Sequence, residues 1–190
     1  MKESTSWNEA ESIQLIREMI EATKYQVIEE RFLYLLWGYG VAGAGTIHYL
    51  LQFHVGYAHP YLVWFLMPFL GMVNYFYLKK KSVKRQSNTW AGRVLSGIWT
   101  GMLFGILAAV AGGFARGWEE AYPVMIILYG LASYATGTAL EFRWLKIGGF
   151  GSKVLGGLAF FFGFQYQLIL LILAVLLSFV LPSHMMGKNK

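Results

Sequence analysis

The chain has 190 residues, of which 56% are hydrophobic and only 14% are charged, and its formal net charge is +6. A soluble domain carries about 25% charged residues, so this composition is typical of a chain whose surroundings are lipid. There is no cysteine and no aspartate, which excludes disulfides, thiolate chemistry and any mechanism that needs an aspartate.

The first predicted element is an amphipathic helix within residues 1–31, from about residue 7 to residue 31. Ser6-Trp7-Asn8-Glu9 has the form of a capping box, and apolar residues follow it at helical spacing: Ile13, Ile16, Met19, Ile20, Val27 and Ile28. Residues 1–31 hold seven glutamates against four basic residues. A helix that lies on anionic lipid is usually basic, so the acidic balance indicates a helix that faces a protein surface.

Six apolar segments then predict transmembrane helices: 32–54, 60–78, 94–115, 121–140, 146–164 and 166–182. Pro60 suits the first turn of the second segment, Pro68 predicts a kink within it, and Pro182 is the predicted end of the sixth. The fifth segment is rich in glycine. A single long helix from about residue 154 to residue 181 is the alternative, and it would give five spans.

The third segment has a regular glycine pattern and is predicted to be the central, most tightly packed helix. Five small residues recur every fourth position and share one side of the helix: Gly97, Gly101, Gly105, Ala109 and Gly113. A groove of this kind lets another helix backbone lie close. Ser133 with Gly137, and Ser152 with Gly156, have the same spacing. Close packing within the bundle and self-association into a homo-oligomer are both expected.

The basic residues predict the orientation of the bundle. Every lysine and arginine except Arg116 falls on one side of the six-span layout, which is the pattern of cytoplasmic loops. Both termini are therefore expected in the cytoplasm, including the tail 183–190. The same placement explains the net charge, so no nucleic-acid partner is predicted.

A basic loop follows the second span and contains Lys79, Lys80, Lys81, Lys84 and Arg85. It lies on the same predicted side as the acidic helix within residues 1–31. We expect the two segments to dock, or to form a platform for a cytoplasmic protein partner. Independent solvation of the two segments is the alternative.

Lys153 and Asn74 form a candidate intramembrane polar site. Lys153 is the only charge well inside a predicted span, and Asn74 lies in the second span. Charges in such positions mark a pathway or a partner. However, Lys153 is about two helical turns from the cytoplasmic end, a distance over which a lysine can snorkel.

A second candidate site is predicted at the outer face, with the residues His48, His54, His59, Glu119 and Glu120. Imidazole and carboxylate groups can bind a divalent metal, or titrate near neutral pH. Histidines that only form interfacial hydrogen bonds are the alternative.

Nothing in the sequence predicts catalysis or a cofactor. Gly38-Tyr39-Gly40-Val41-Ala42-Gly43 matches a dinucleotide fingerprint, but it sits inside an apolar span instead of following a strand. No nucleophile–base pair or metal triad is recognisable. The predicted function is therefore non-enzymatic, in regulation or assembly through the acidic helix and the basic loop. A small ion channel or small-molecule transporter is the alternative.

The chain also resembles a family of small bacterial membrane proteins of the Bacteroidota type. The resemblance rests on Glu11-Ser12-Ile13 with Ile16-Arg17 and Ile20, on Leu35-Leu36-Trp37-Gly38, on His48-Tyr49, and on the run from Tyr166-Gln167-Leu168 to Pro182. It implies a six-helix protein of the bacterial inner membrane. It transfers no catalytic residue.

Overall fold

The structure is a computed structural model that describes residues 9–29, 31–82 and 90–186. All regular structure in this part of the chain is helical, and a helix is found at each predicted span. The helices are α1 (Glu9–Glu29), α2 (Arg31–Leu50), α3 (Leu66–Ser82), α4 (Trp90–Arg116), α5 (Trp118–Ala139), α6 (Arg143–Ala159), α7 (Phe164–Val175) and α8 (Leu181–Met186). Within the described residues, three helical stretches are long and apolar enough to cross a membrane: Pro60–Lys80, Gly92–Arg116 and Phe164–Met186.

Two prolines change the helix geometry just before them, because proline has no N–H to donate to the carbonyl four residues earlier. Ahead of Pro68, residues Pro60–Phe65 form a 3₁₀ helix and the α-helix begins at Leu66, whereas the kink expected at Pro68 stays a prediction. Ahead of Pro182, the π-helical segment Leu176–Val180 joins α7 to α8.

Pro182 therefore does not end the last helix, and residues up to Met186 of the predicted tail are helical. Residues 187–190 lie outside the described part of the chain. Serine hydroxyls add hydrogen bonds around the proline: Ser183 donates to the carbonyl of Phe179 at 2.6 Å, and Ser178 donates to the carbonyl of Ala174 at 2.7 Å. The wide π turn and these side chains let the helix continue past a proline.

α6 and α7 are separate helices, so the alternative of one long helix is wrong. Residues 160–163 form the turn between them, with extended backbone at Gly163. The carbonyl of Gly163 accepts from the amides of Tyr166 and Gln167 and so begins α7.

α7 lies at the centre of the bundle and packs against α2, α5 and α6. Its buried side chains include Leu168, Leu171, Ala174 and Val175. By contrast, α3 packs mainly on α2, and α4 packs mainly on α5. The prediction that the third span is the central helix is therefore not what the structure shows.

Two glycines in the first half of α4, Gly97 and Gly101, face open space. A Cβ atom built at either position would meet none of the described residues within 4 Å. Ala109, further along the same side, is half-buried. The spacing of these residues would allow another helix to pack closely, but no described helix packs against Gly97 and Gly101.

Gly105 and Gly113 do face neighbours, and the nearest neighbour of each is a large side chain. A Cβ at Gly105 would lie 3.0 Å from Leu128, and one at Gly113 would lie 2.8 Å from the ring of Trp118 and 3.2 Å from the Cβ of Ala121. Side-chain atoms of α5, and not its backbone, are therefore the nearest atoms to these two glycines.

The closest backbone approaches that the structure describes involve α6. Gly148 of α6 lies against the carbonyl oxygen of Leu177 in the π-helical segment, and α6 also crosses α5 closely. A Cβ at Gly130 would lie 2.7 Å from both the carbonyl oxygen of Gly149 and the amide nitrogen of Lys153. A Cβ at Gly137 would lie 2.6 Å from the amide nitrogen of Lys146. Only glycine fits at these crossings.

The turns define two ends of the bundle. Gly117 (φ 120°) stands between α4 and α5, and we call its side the Gly117 end. Glu141 (φ 54°) stands between α5 and α6, and we call its side the Glu141 end. The turn 56–59 and the turn 160–163 lie at the Gly117 end, whereas α8 lies at the Glu141 end.

Candidate functional site

Aromatic rings from four elements meet at the Gly117 end. Tyr122 of α5 stands edge-on to Phe164 of α7, with ring centroids 5.1 Å apart. Trp64 of the 3₁₀ helix lies 6.2 Å from Tyr122, and His48 of α2 lies 5.7 Å from Phe164. Edge-to-face pairs of this kind hold helix ends together beyond the area they bury.

His48 is the polar centre of this cluster and is only 4% exposed. The indole N–H of Trp64 donates to Nδ1 of His48 at 2.8 Å. Because indole is only a donor, Nδ1 must be unprotonated, and the ring proton is on Nε2. Nε2 in turn donates to Oε1 of Gln52 at 2.9 Å. Both ring nitrogens are therefore used, and neither is left to bind a metal.

The other predicted outer-face residues are not gathered around His48. His54 and His59 are exposed, and His59 is hydrogen-bonded through Nδ1 to the hydroxyl of Tyr61 at 3.0 Å. Glu119 and Glu120 are exposed in the first turn of α5, where negative charge is favoured by the helix dipole. Among the described residues, no three histidine or acidic side chains form a group that could hold a metal ion.

Gln167 is a buried polar residue that connects three segments at this end. Pro123 lies inside α5 and cannot donate to the carbonyl of Glu119, four residues earlier. The side-chain amide of Gln167 donates to that carbonyl at 2.8 Å. The same nitrogen is 3.2 Å from the carbonyl of Ala159 and 3.0 Å from that of Phe162. Gln167 thus links α7 to α5 and to the end of α6.

Lys153 and Asn74 do not form one site. Asn74 lies on α3, which packs on α2, whereas Lys153 lies on α6, which packs on α5 and α7. Oδ1 of Asn74 is buried and has no hydrogen-bond partner among the described residues. The Lys153 ammonium lies 3.7 Å from the centroid of the Tyr134 ring and 5.8 Å from that of Phe150.

α1 is joined to the bundle near its C-terminal end. Val27 packs against the core, and α1 contacts α4 and α2. Further toward the N-terminus, Ile13, Leu15 and Ile16 are 55%, 45% and 54% exposed. The helix therefore presents apolar side chains that the rest of the described chain does not cover.

The basic loop is described only in part. Lys79 and Lys80 are exposed in the last turns of α3, and Lys81 belongs to the same helix. Lys84 and Arg85 lie outside the described residues. The predicted docking of α1 on this loop stays a prediction.

Sequence reasoning missed the role of Gln167 and the contact of Trp64 with His48. A signal for Gln167 was present, since a proline inside a helix predicts a free carbonyl and an amide in an apolar run predicts a partner for it. The partners themselves are far apart in sequence, and only the packing of the helices brings them together.

No family model matches the chain, and neither a curated protein nor a solved structure matches it. The resemblance to small bacterial membrane proteins therefore stays a prediction.

Proposed function

We propose that the chain is a multi-pass protein of the bacterial inner membrane, with six spans and both termini in the cytoplasm. The three long apolar helices support a membrane placement. So do the large side chains that α3 and α4 leave exposed, among them Phe69, Phe76, Phe104, Leu107 and Phe114. A soluble protein rarely exposes apolar surface on this scale. The distribution of lysine and arginine supports the orientation.

Within that membrane, we propose a non-enzymatic role in assembly or regulation, carried by α1 and the basic loop. The observation that carries this proposal is the exposure of Ile13 and Ile16, one turn apart on the same side of a helix that is attached to the bundle near its other end. The N-terminal segment 1–31 is also acidic. An apolar face on an acidic helix suits a basic amphipathic helix of a cytoplasmic protein, because burial supplies affinity and charge supplies orientation.

The proposal predicts that Ile13→Ser combined with Ile16→Ser reduces binding of the cytoplasmic partner by about tenfold or more, since two buried isoleucines are lost from the interface. The measurement is recovery of the partner with the full-length tagged chain from native membranes in mild detergent. Gln14→Ser is the matched control, because Gln14 is an exposed polar residue on the same turns.

Equal recovery of one partner with the double variant and with the control would overturn the assembly role. A photo-crosslinker at position 13 adds a second readout. Capture of residues 79–93 of the same chain would show that the basic loop, and not another protein, covers this face.

A channel or transporter is the second candidate, and it is favoured by four buried polar atoms that have no hydrogen-bond partner among the described residues. They are Asn74 Oδ1, Ser133 Oγ, Thr136 Oγ1 and Gln167 Oε1. Buried polar atoms in an apolar bundle are places for water or an ion. A path between α5 and α6 is not favoured, because the backbones of these two helices are in close contact where Gly130 meets Lys153.

Flux through purified protein in liposomes separates the two candidates. The assembly role predicts ion flux equal to that of empty vesicles. A channel predicts flux above that level, and Thr136→Val is then expected to lower it, because the substitution removes the hydroxyl but keeps the shape of the side chain. Flux that Thr136→Val leaves unchanged would exclude a path lined by Thr136.

A further inference from the structure

Lys153 leaves α6 at one of the points where that helix crosses α5 closely. A Cβ at Gly130 would lie 2.7 Å from the Lys153 amide nitrogen and 2.9 Å from its Cγ. The side chain cannot pass between the helices at this crossing. It lies instead along their junction, on the outside of the bundle.

The Lys153 side chain then runs back toward the Glu141 end. Its ammonium lies over the ring of Tyr134, one turn beyond Gly130 on α5, with Nζ 3.7 Å from the ring centroid. Phe150, one turn earlier on α6, is 5.8 Å away. This direction is the one that a helix geometry gives to long side chains. In the orientation we propose, it is also the direction toward the cytoplasmic surface.

The ammonium remains reachable from outside the bundle. Lys153 is half-buried, and the two rings beside it, Tyr134 and Phe150, are exposed. A ring face interacts with one side of an ammonium group and leaves other N–H donors free for an oxygen acceptor. The site thus offers a cation held by an aromatic ring and open to the surroundings.

The neighbouring charges on α6 are also positive. Lys146 precedes Lys153 by two helical turns on the same side of the helix, and Arg143 lies one turn before Lys146. Glu141 is the last acidic residue of the sequence. The positive face of α6 is therefore complementary to an anion.

The surface on the other side of Lys153 is apolar. Val154 and Leu158 are exposed further along α6, toward the Gly117 end, on the adjoining side of the helix, about 100° to 140° around its axis from Lys153. A ligand that contacts both sides has a negative group near Lys146 and Lys153 and hydrocarbon along Val154 and Leu158. A lipid has both parts in this order, whereas a free anion has only the first.

We propose that the face of α6 from Lys146 to Lys153, with the Tyr134 ring of α5, binds the phosphate of an anionic phospholipid from the cytoplasmic leaflet. This proposal rests on the membrane placement proposed above. Lys153 supplies a charge-assisted hydrogen bond to the phosphate, and Tyr134 holds the ammonium in position. Lys146 adds attraction near the surface.

The test is titration of the delipidated full-length protein with phosphatidylglycerol, with bound lipid counted by native mass spectrometry. Lys153→Met is expected to weaken binding about tenfold, since it removes a charge-assisted bond to phosphate. Lys153→Arg is expected to bind as the wild type does. Lys80→Met, which removes an exposed lysine from another helix, is the matched control and is expected to change little.

A second pair of variants tests whether lipid binding needs the ring of Tyr134 or its hydroxyl. Tyr134→Phe keeps the cation–ring contact and is expected to bind normally, whereas Tyr134→Leu is expected to bind several-fold more weakly. Thermal melts of all variants show whether they remain folded. If the Tyr134→Leu protein melts normally and binds the lipid as the wild type does, the Tyr134 ring takes no part in the site.

Two results would overturn the proposal. One is wild-type affinity for phosphatidylglycerol in Lys153→Met. The other is complete displacement of the lipid by millimolar inorganic phosphate, which would show a site for a free anion. Membrane fractionation separates failure of the lipid site from failure of the membrane placement. Protein that is missing from the membrane fraction contradicts the membrane placement. Protein that is in the membrane fraction and gives one of the two results above contradicts only the lipid site.

Discussion

Gly130→Leu is expected to lower the thermal midpoint of the purified protein by roughly 10 °C. The new side chain would begin 2.7 Å from the Gly149 carbonyl and the Lys153 amide, and both are backbone atoms that cannot rotate away. α5 and α6 would have to separate, at a cost of about 3 kcal/mol, the upper part of the range for overpacked sites. The measurement is a thermal melt in mild detergent, followed by intrinsic tryptophan fluorescence.

Gly101→Leu is the matched control, because the same substitution on α4 meets open space. It is expected to leave the midpoint of the single chain unchanged. Any homo-oligomer packed on that side would instead be lost, and a size measurement in the same detergent detects this. A Gly130→Leu protein that melts with the wild type would contradict the α5–α6 contact described above.

Gln167→Met is expected to destabilise the protein by about 2 to 3 kcal/mol. Methionine has a similar length but no donor, so the carbonyls of Glu119, Ala159 and Phe162 lose the amide that they share. The Gln167 side chain is 2% exposed, so its loss leaves buried carbonyl oxygen without this donor. The expected change in a thermal melt is roughly 5 to 10 °C.

Gln165→Met controls for the loss of a glutamine from the same turn. Gln165 is exposed and donates to the hydroxyl of Tyr49 at 3.1 Å, which water can replace. A change below about 1 kcal/mol is expected there. If Gln165→Met and Gln167→Met shift the midpoint equally, the three carbonyls do not depend on Gln167.

The positions of the helices followed from the sequence because each one is a nearly uncharged apolar run bounded by charges, glycine or proline. The run 94–115 became α4, and the glycine-rich run that starts at 146 became α6. The sequence predicted α6 and α7 as separate helices because Gln165 and Gln167 interrupt the apolar pattern. These are local features, and one sequence is enough to show them.

The arrangement of the helices did not follow from the sequence. The glycine spacing of α4 is more regular than that of α5, yet the close crossing uses Gly130 and Gly137 of α5. Which helix fills a groove depends on all other packing choices in the bundle. Similarly, the spacing of His48, His54 and His59 suggested a shared site, but Trp64 occupies a nitrogen of His48 from another segment.

The π-helical segment Leu176–Val180 also bears on how the last helix tolerates changes in chain length. A π turn holds one residue more than an α turn of the same rise, so the extra residue is absorbed within that turn. Loss of one residue from this segment would convert it to an ordinary turn and leave both halves facing as before. Loss of one residue from Phe164–Val175 would rotate everything after it by about 100° and turn the buried side of α8 outward.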